Sequence, residues 1–324
     1  MLSVWLRGEK KSMGEKVLAF DLGGTKVAVG IVNSKGRILD EIRVPVVLEE
    51  GKDAVLQQLV NLGSQLLRRF PEVKKVGIAS AGPLDPEKGI LIDPTNFSSF
   101  KGTWGQTPIA KILSKQLKRK VYLENDAAAA VLAEHWIGAG KNCKNVMVLT
   151  LGTGLGTGII CNNELVRSGR NLHPEGGHLI IKAFDASAPC GCGNFGCAEA
   201  LLSGRNFSKR ARQLFANPNL TAQDIAEFAR KKDPRALGAF KEYAELMAVA
   251  IHNYVRIYAP EKVLFTGSFA DASDLFLDRT QEHLNRLMAR CREGIDMMPK
   301  LGLSKLNNEA GLIGGAYVAF HRKG

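Results

Sequence analysis

The chain predicts an α/β protein of two lobes with a cleft between them, and three observations carry that expectation. Apolar segments of strand and helix period alternate along it. A strand, glycine-rich turn, strand opening occurs twice, near 17–32 and near 146–161. Its 324 residues, at roughly 150 per domain, suit two domains. The lobes are read as 15–125, smaller, and 126–307, larger, with a helix over 308–324 packing back on the first. Hydrophobic residues at 45% and charged residues at 23% are ordinary globular values and exclude disorder, collagen and coiled coil.

In order, 17–22 is an apolar run that reads as a strand and ends in Gly23-Gly24-Thr25. Residues 27–32 form a second strand and 43–47 a third, joined by a turn at Ser34-Lys35-Gly36, so the sheet begins with antiparallel hairpins. Apolar residues at 55, 56, 59, 62, 66 and 67 give 53–70 a helical period that Pro71 ends. A strand over 76–79, a helix near 107–118 and a strand over 121–123 complete the first half. The second half repeats the opening with strands at 146–151 and 158–161. Helices fill roughly 221–256, a strand covers 263–265, and helices follow near 272–290 and over 308–321.

Lysine and arginine total 44 against 32 acidic residues, a net charge of +12, which favours polyanions, nucleotides included. No nucleic-acid recognition module accompanies the charge, so nucleic acid is not expected as a partner, and the densest basic stretch, 205–210, reads as a solvated helix face. No apolar run approaches the ~20 residues that span a bilayer. The opening six residues are too short for a secretory core, and Met13 is a candidate start behind a disordered dozen. A cytoplasmic protein without a membrane is expected. Cys143, Cys161 and Cys291 stand alone, whereas Cys190, Cys192 and Cys197 crowd into eight residues. Clustered cysteines without a secretion signal point to metal.

The chemistry gathers in four motifs. Asp21-Leu22-Gly23-Gly24-Thr25-Lys26 turns between two strands, where glycines let backbone N–H groups approach an anionic oxygen. Asp21 would face the same phosphates across a divalent cation; a hairpin turn with an edge carboxylate would look the same. Gly152-Thr153-Gly154, inside a G-x-G-x-G-x-G run, is a second such turn. It is followed by a strand, unlike a dinucleotide fingerprint, and lacks the G-K-[ST] of a P-loop. Together the two turns resemble the phosphate loops of the actin-like ATPase and sugar-kinase fold. Glu124-Asn125-Asp126 opens an alanine-rich helix, so Asn125 or Asp126 is an N-cap, with Asp126 favoured; a strand end beside a cleft also suits a general base. His178, Cys190, Cys192 and Cys197 match a closed tetrahedral zinc site, with His173 as the competing ligand. Glu175 and Glu199 flank that loop, and carboxylates accept hydrogen bonds from vicinal sugar hydroxyls.

With these residues in view, the chain from about 17 to 320 resembles the ROK family of sugar kinases and repressors. The resemblance rests on 21–26, Gly77-Ile78-Ala79-Ser80-Ala81-Gly82-Pro83, 124–127, 151–154, Glu175-Gly176-Gly177-His178, the cysteine loop 190–199 and Gly311-Leu312-Ile313-Gly314-Gly315-Ala316. It implies an ATP-dependent hexose kinase, glucose first and N-acetylmannosamine, N-acetylglucosamine or fructose behind it, acting as a homodimer with Mg2+ and a structural Zn2+. Asp126 would be the catalytic base. Gly82, Asn96, Asn125, Glu175, His178 and Glu199 would meet the sugar, with His178 also a zinc ligand. Asp21, Gly23, Gly24, Thr25, Lys26, Gly152, Thr153, Gly154 and Gly267 would serve ATP, Gly267 by giving room for the adenosine.

The departures are Ser80 for a proline or glycine, the segment after Asn96, and Thr157 for a frequent glycine. An aspartate near its reference pKa of about 3.9 would be ionised at neutral pH and would mainly orient the hydroxyl. A repressor of the same family needs a DNA reader ahead of the first motif, and 20 residues precede Asp21, too few for three helices. A non-catalytic sugar sensor is disfavoured by Asp126, and polyphosphate is an alternative donor that the charge encourages.

Overall fold

Three strands in hairpin succession open the chain: β1 (Lys16–Leu22), β2 (Lys26–Asn33) and β3 (Ile38–Pro45). This is a computed structural model, and it describes residues 14–94, 97, 103–289 and 296–322. Residues 1–12, Asn96 and Cys291 lie outside the described residues. Helix α1 (Lys52–Arg69) buries Val55, Leu56, Leu59, Leu66 and Leu67 against the sheet, as its period requires. Strand β4 (Lys75–Ser80) follows, then β5 (Leu84–Asp85), β6 (Ile90–Ile92) and β7 (Gln106–Thr107), a small antiparallel sheet that the sequence pattern did not suggest. Helix α2 (Ile109–Leu117) and strand β8 (Lys120–Asn125) complete the first sheet, ordered β3-β2-β1-β4-β8.

Helix α3 (Asp126–Trp136) leads to the second sheet, built from β9 (Val146–Leu151), β10 (Leu155–Cys161), β11 (Glu164–Leu165), β12 (Lys262–Thr266) and β13 (Lys300–Leu303) in the order β11-β10-β9-β12-β13. Both sheets share one pattern. Two antiparallel pairings join the first three strands, and two parallel pairings add the last two. Between β11 and β12 come α4 (Ala198–Leu202), α5 (Gly204–Phe215), α6 (Ala222–Arg230) and α7 (Pro234–Tyr258), and α8 (Leu277–Met288) follows β12. The basic stretch 205–210 lies in α5, yet it is not simply a solvated face. Phe207 and Ser208 are buried, and Arg210 donates to the carbonyls of Ala200 (2.9 Å) and Leu201 (2.8 Å).

Each sheet has its own apolar core: Phe20, Leu59, Ile78 and Leu113 in the first, and Phe207, Phe240, Tyr243, Phe269 and Phe276 in the second. The last helix, α9 (Ala310–His321), lies on β1 and β4 and against α3. Its small residues explain the close approach. A Cβ on Gly77 would sit 1.9 Å from the Gly315 carbonyl oxygen, and one on Gly314 would sit 2.1 Å from that of Ala129. Helix α3 in turn touches β9 and β10, so α3 and α9 form the layer between the sheets. Among the described residues no helix is long and apolar enough to cross a membrane.

Candidate active site

Parallel pairing places Leu22, Ser80 and Asn125 side by side. The carboxyl ends of β1, β4 and β8 therefore deliver Asp21, the 81–83 turn and Asp126 to one edge, where open α/β sheets bind ligands. In the second sheet Thr150 pairs with Thr266, which brings Gly152-Thr153-Gly154 beside Gly267. Gly267 has φ +91°, and a Cβ there would lie 2.4 Å from the Leu151 carbonyl oxygen. Its glycine is thus required by the backbone of β9. A Cβ on Gly152 would meet nothing within 4 Å, so the second turn offers its main chain to open space. In the first turn Gly23 N–H donates to the Lys26 carbonyl (3.1 Å), and Thr25 and Lys26 are exposed.

The cap of α3 is Asn125, not the favoured Asp126. Asn125 Oδ1 accepts from the N–H groups of Ala127 (2.9 Å) and Ala128 (3.1 Å), and its extended backbone (φ −66°, ψ 145°) ends the strand. Asp126 is the first helical residue, and its Oδ1 accepts from its neighbour Ala127 N–H at 2.8 Å. Burial pushes the Asp126 carboxyl up to about 7, opposed by that hydrogen bond and reinforced by Asp21 and Glu175. The expected value near 3.9 is therefore corrected: the Asp126 carboxyl is buried, and the charges of Asp21 and Glu175 add to the cost of ionising it. Burial likewise lifts Asp21 to about 6, with Arg43 opposing and Glu41 adding to the rise. A Cβ on Gly311 would fall 2.5 Å from the Asp21 carboxyl, so this carboxylate rests on the first turn of α9, the favourable end for an anion.

Glu175 and His178 bracket one tight turn after β11, pinned from below. Tyr254 Oη donates to the Gly176 carbonyl at 2.8 Å and Thr157 Oγ1 to that of Pro174 at 3.4 Å. Glu175 is exposed. The protein around its carboxyl pushes its pKa up, with His178 opposing and Glu199 adding. Glu199 lies in the first turn of α4, and its Oε2 accepts from Leu155 N–H at 3.0 Å. It therefore ties the cysteine loop to the far side of the glycine-rich turn 152–154.

His178, Cys190, Cys192 and Cys197 bring their ligand atoms within 4.8 Å of one another. His178 Nδ1 lies 3.5 Å from Cys190 Sγ, and Cys192 Sγ lies 3.7 Å from Cys197 Sγ. Zn–S bonds of about 2.3 Å at tetrahedral angles put two sulfurs roughly 3.8 Å apart, so the donor set fits zinc in type and spacing. Because Nδ1 faces Cys190 Sγ, Nε2 is the ring nitrogen not engaged with the sulfurs. Gly196, at φ +70°, is required here: a Cβ would lie 1.7 Å from the Lys182 carbonyl oxygen. His173, the competing ligand, is not in this cluster. It is buried beside Glu124 and Arg167, and burial lowers its pKa to about 4.

Gly82 lies against Asn125, whose Nδ2 is 3.5 Å from the place of a Cβ. The altered segment after Asn96 places Phe97 in the core against Trp104, ring centroids 5.1 Å apart. The sequence reading missed the ion pair between Glu124 and Arg167, 43 residues apart. Nothing local signals a contact of that separation.

A chain with two sheets of one topology, a glycine-rich strand–turn–strand at the head of each, and carboxylates gathered where the strands end has the two-lobed, actin-like ATPase fold. The ROK family model matches residues 17–322, and the chain belongs to the ROK family. It is 30% identical to a glucokinase of Thermotoga maritima over 95% of this chain and 98% of that one. It is 31% identical to an N-acetyl-D-glucosamine kinase of Citrobacter koseri over 92% and 97%. Among solved structures, a ROK family glucokinase from Streptomyces griseus in complex with glucose and AMPPNP is similar, with TM-score 0.76, 28% identity, and coverage of 95% of this chain and 100% of that one.

Proposed function

We propose that this ROK family sugar kinase transfers the γ-phosphoryl group of ATP to a hexose, glucose first, giving glucose 6-phosphate, with Asp126 as general base. The observation that carries the reading is the setting of Asp126. It lies within the field of Asp21 on the phosphate side and of Glu175 on the sugar side. The sugar hydroxyl attacks phosphorus, its proton passes to Asp126, and the bond from the γ-phosphorus to the ADP oxygen breaks. A carboxylate with a pKa near neutrality is a better acceptor than an ordinary aspartate at working pH.

The turns at 23–26 and 152–154 hold the phosphates, and Gly267 borders the adenosine. Asp21 fits as the holder of Mg2+: it is a hard oxygen donor whose charge is resisted by burial. The ion, when bound, would neutralise phosphate charge. Asn125, Glu175, His178 Nε2, Glu199 and the turn at Gly82 read the sugar. Asn96 is proposed with them on the family pattern alone. A zinc ion held by His178, Cys190, Cys192 and Cys197 would be a folding element that fixes His178 and Glu199 in place.

The pH dependence follows from the raised carboxyls. Proton transfer requires ionised Asp126, so kcat/KM for the sugar should fall about tenfold per pH unit on an acid limb. That limb should set in as pH falls through about 7, where Asp126 titrates, and continue below it, with Asp21 adding from about 6. A flat profile from pH 8 down to pH 5 contradicts the role of Asp126.

Three polar groups reading adjacent hydroxyls imply epimer selectivity. An epimer leaves one of them unpaired, at about 1–3 kcal/mol, roughly ten- to two-hundred-fold in kcat/KM. Glucose should therefore exceed galactose at least about tenfold by that argument, and equal values would remove Glu175, His178 and Glu199 as readers of the ring. The second reading, an N-acetylhexosamine kinase, is favoured by the N-acetylglucosamine kinase relative at 31% identity. Comparing kcat/KM for glucose, mannose, N-acetylglucosamine and N-acetylmannosamine separates the two readings.

A further inference from the structure

The Glu124–Arg167 pair joins two segments that each carry part of the site. Glu124 is the penultimate residue of β8, directly before Asn125 and Asp126, and its side chain is 3% exposed. Arg167 lies just past β11, on the stretch that leads to Glu175 and His178, and is 20% exposed. Arg167 Nη1 donates to Glu124 Oε1 at 2.8 Å, and Nη2 donates to Oε2, so the contact is a bidentate fork. Glu124 Oε1 also accepts the N–H of Asn125 at 3.0 Å. One carboxylate thus holds both the guanidinium of the second lobe and the peptide that presents the cap and the base. A second contact follows the same path: Asn171 Nδ2 donates to Glu87 Oε1 on the turn between β5 and β6.

His173 lies beside this pair, and burial lowers its pKa to about 4, so it stays neutral near pH 7 and does not compete for the carboxylate.

We propose that Glu124 and Arg167 are positioning residues that hold Asp126 in register with the sugar-reading turn 175–178. They act through Asn125 and through the chain between 167 and 175. A misplacement of about 1 Å between a base and a bound hydroxyl costs on the order of a hundredfold in rate. The pair should therefore weigh on kcat for sugar phosphorylation more than on the binding of ATP, whose turns lie elsewhere. A lysine at 167 keeps the charge but loses the planar fork, so it separates geometry from charge.

The inference rests on Asp126 being the base of a sugar kinase, and the test distinguishes the two. Kinetics are measured on wild type, Glu124→Gln, Arg167→Lys and Arg167→Ala, with zinc content and thermal midpoint recorded on the same samples. Zinc-loaded, folded Arg167→Lys and Glu124→Gln should lose about ten- to a hundredfold in kcat, with KM for ATP within about threefold of wild type. Ethylguanidinium added to Arg167→Ala should restore part of kcat, a readout that also serves if the other variants fold poorly. Wild-type rates in Arg167→Lys or Glu124→Gln, or no rescue of a folded Arg167→Ala, overturn the positioning role. A wild-type protein inactive on every hexose would instead overturn the kinase reading itself.

Discussion

Replacing Asp126 by asparagine should abolish sugar phosphorylation and leave the fold intact. The helix keeps its cap, because Asn125 supplies the oxygen that accepts from Ala127 and Ala128. An asparagine oxygen at 126 can still accept from Ala127 N–H, as Asp126 does at 2.8 Å. What is lost is the proton acceptor, worth about 10²–10⁴ in rate.

The same substitution should raise stability above neutral pH. The folded pKa of Asp126, about 7, lies above the unfolded value of 3.8. Its contribution to stability is fully present below pH 3.8 and is lost as pH rises through 7, where the carboxylate must ionise beside Asp21 and Glu175. The variant carries no such charge, so its thermal midpoint should exceed wild type at pH 8 and converge with it toward pH 4. A variant with more than a tenth of wild-type kcat, assayed by release of ADP, contradicts the base assignment. One that melts lower at pH 8 contradicts the electrostatic account.

Replacing Cys192 by serine should release the metal and with it the sugar site. Cys192 is exposed, so the change disturbs no core packing and the effect reads the ligand alone. Apparent binding energies of about 10–16 kcal/mol for structural zinc peptides mean that losing one thiolate removes a dominant local constraint. Cys197 is the N-cap of α4 and Glu199 lies in its first turn, so a released loop moves Glu199 away from Leu155 and frees His178. Metal analysis should find about one zinc per wild-type chain and little in the variant, with KM for the sugar raised at least tenfold. An active wild type without zinc, or a metal-free variant with unchanged KM, contradicts the account.

The parts of this design that were legible in the sequence are those whose signal is local. Glycines 23, 24, 152 and 154 stand where two strands must turn, and the hairpins followed from them. The spacing of three cysteines and His178 picked out the four donors that the fold gathers within 4.8 Å of one another, because a short loop leaves few ways to bring them together. Strands β5, β6, β7 and β13 were not legible, since each has two to four residues, too few for a period of two to show. Asn125 and Asp126 are both cap-competent types, and the choice was made by how far β8 runs before the helix begins. The pKa of Asp126 is raised first by burial and then by Asp21 and Glu175, which are far away along the chain and approach it only after the sheets form. The fork of Arg167 on Glu124 is of the same kind: Glu124 lies on β8 of the first sheet, and Arg167 follows β11 of the second.

The central claim is that the cleft between these lobes moves a phosphoryl group from ATP to a hexose. The most direct measurement is release of ADP by zinc-loaded wild-type protein with Mg2+ and ATP, across glucose, mannose, galactose, fructose, N-acetylglucosamine and N-acetylmannosamine, with a no-sugar control. Release that depends on sugar, strongest with glucose and accompanied by glucose 6-phosphate, is the predicted result. Release no faster with any of these sugars than without sugar would contradict it.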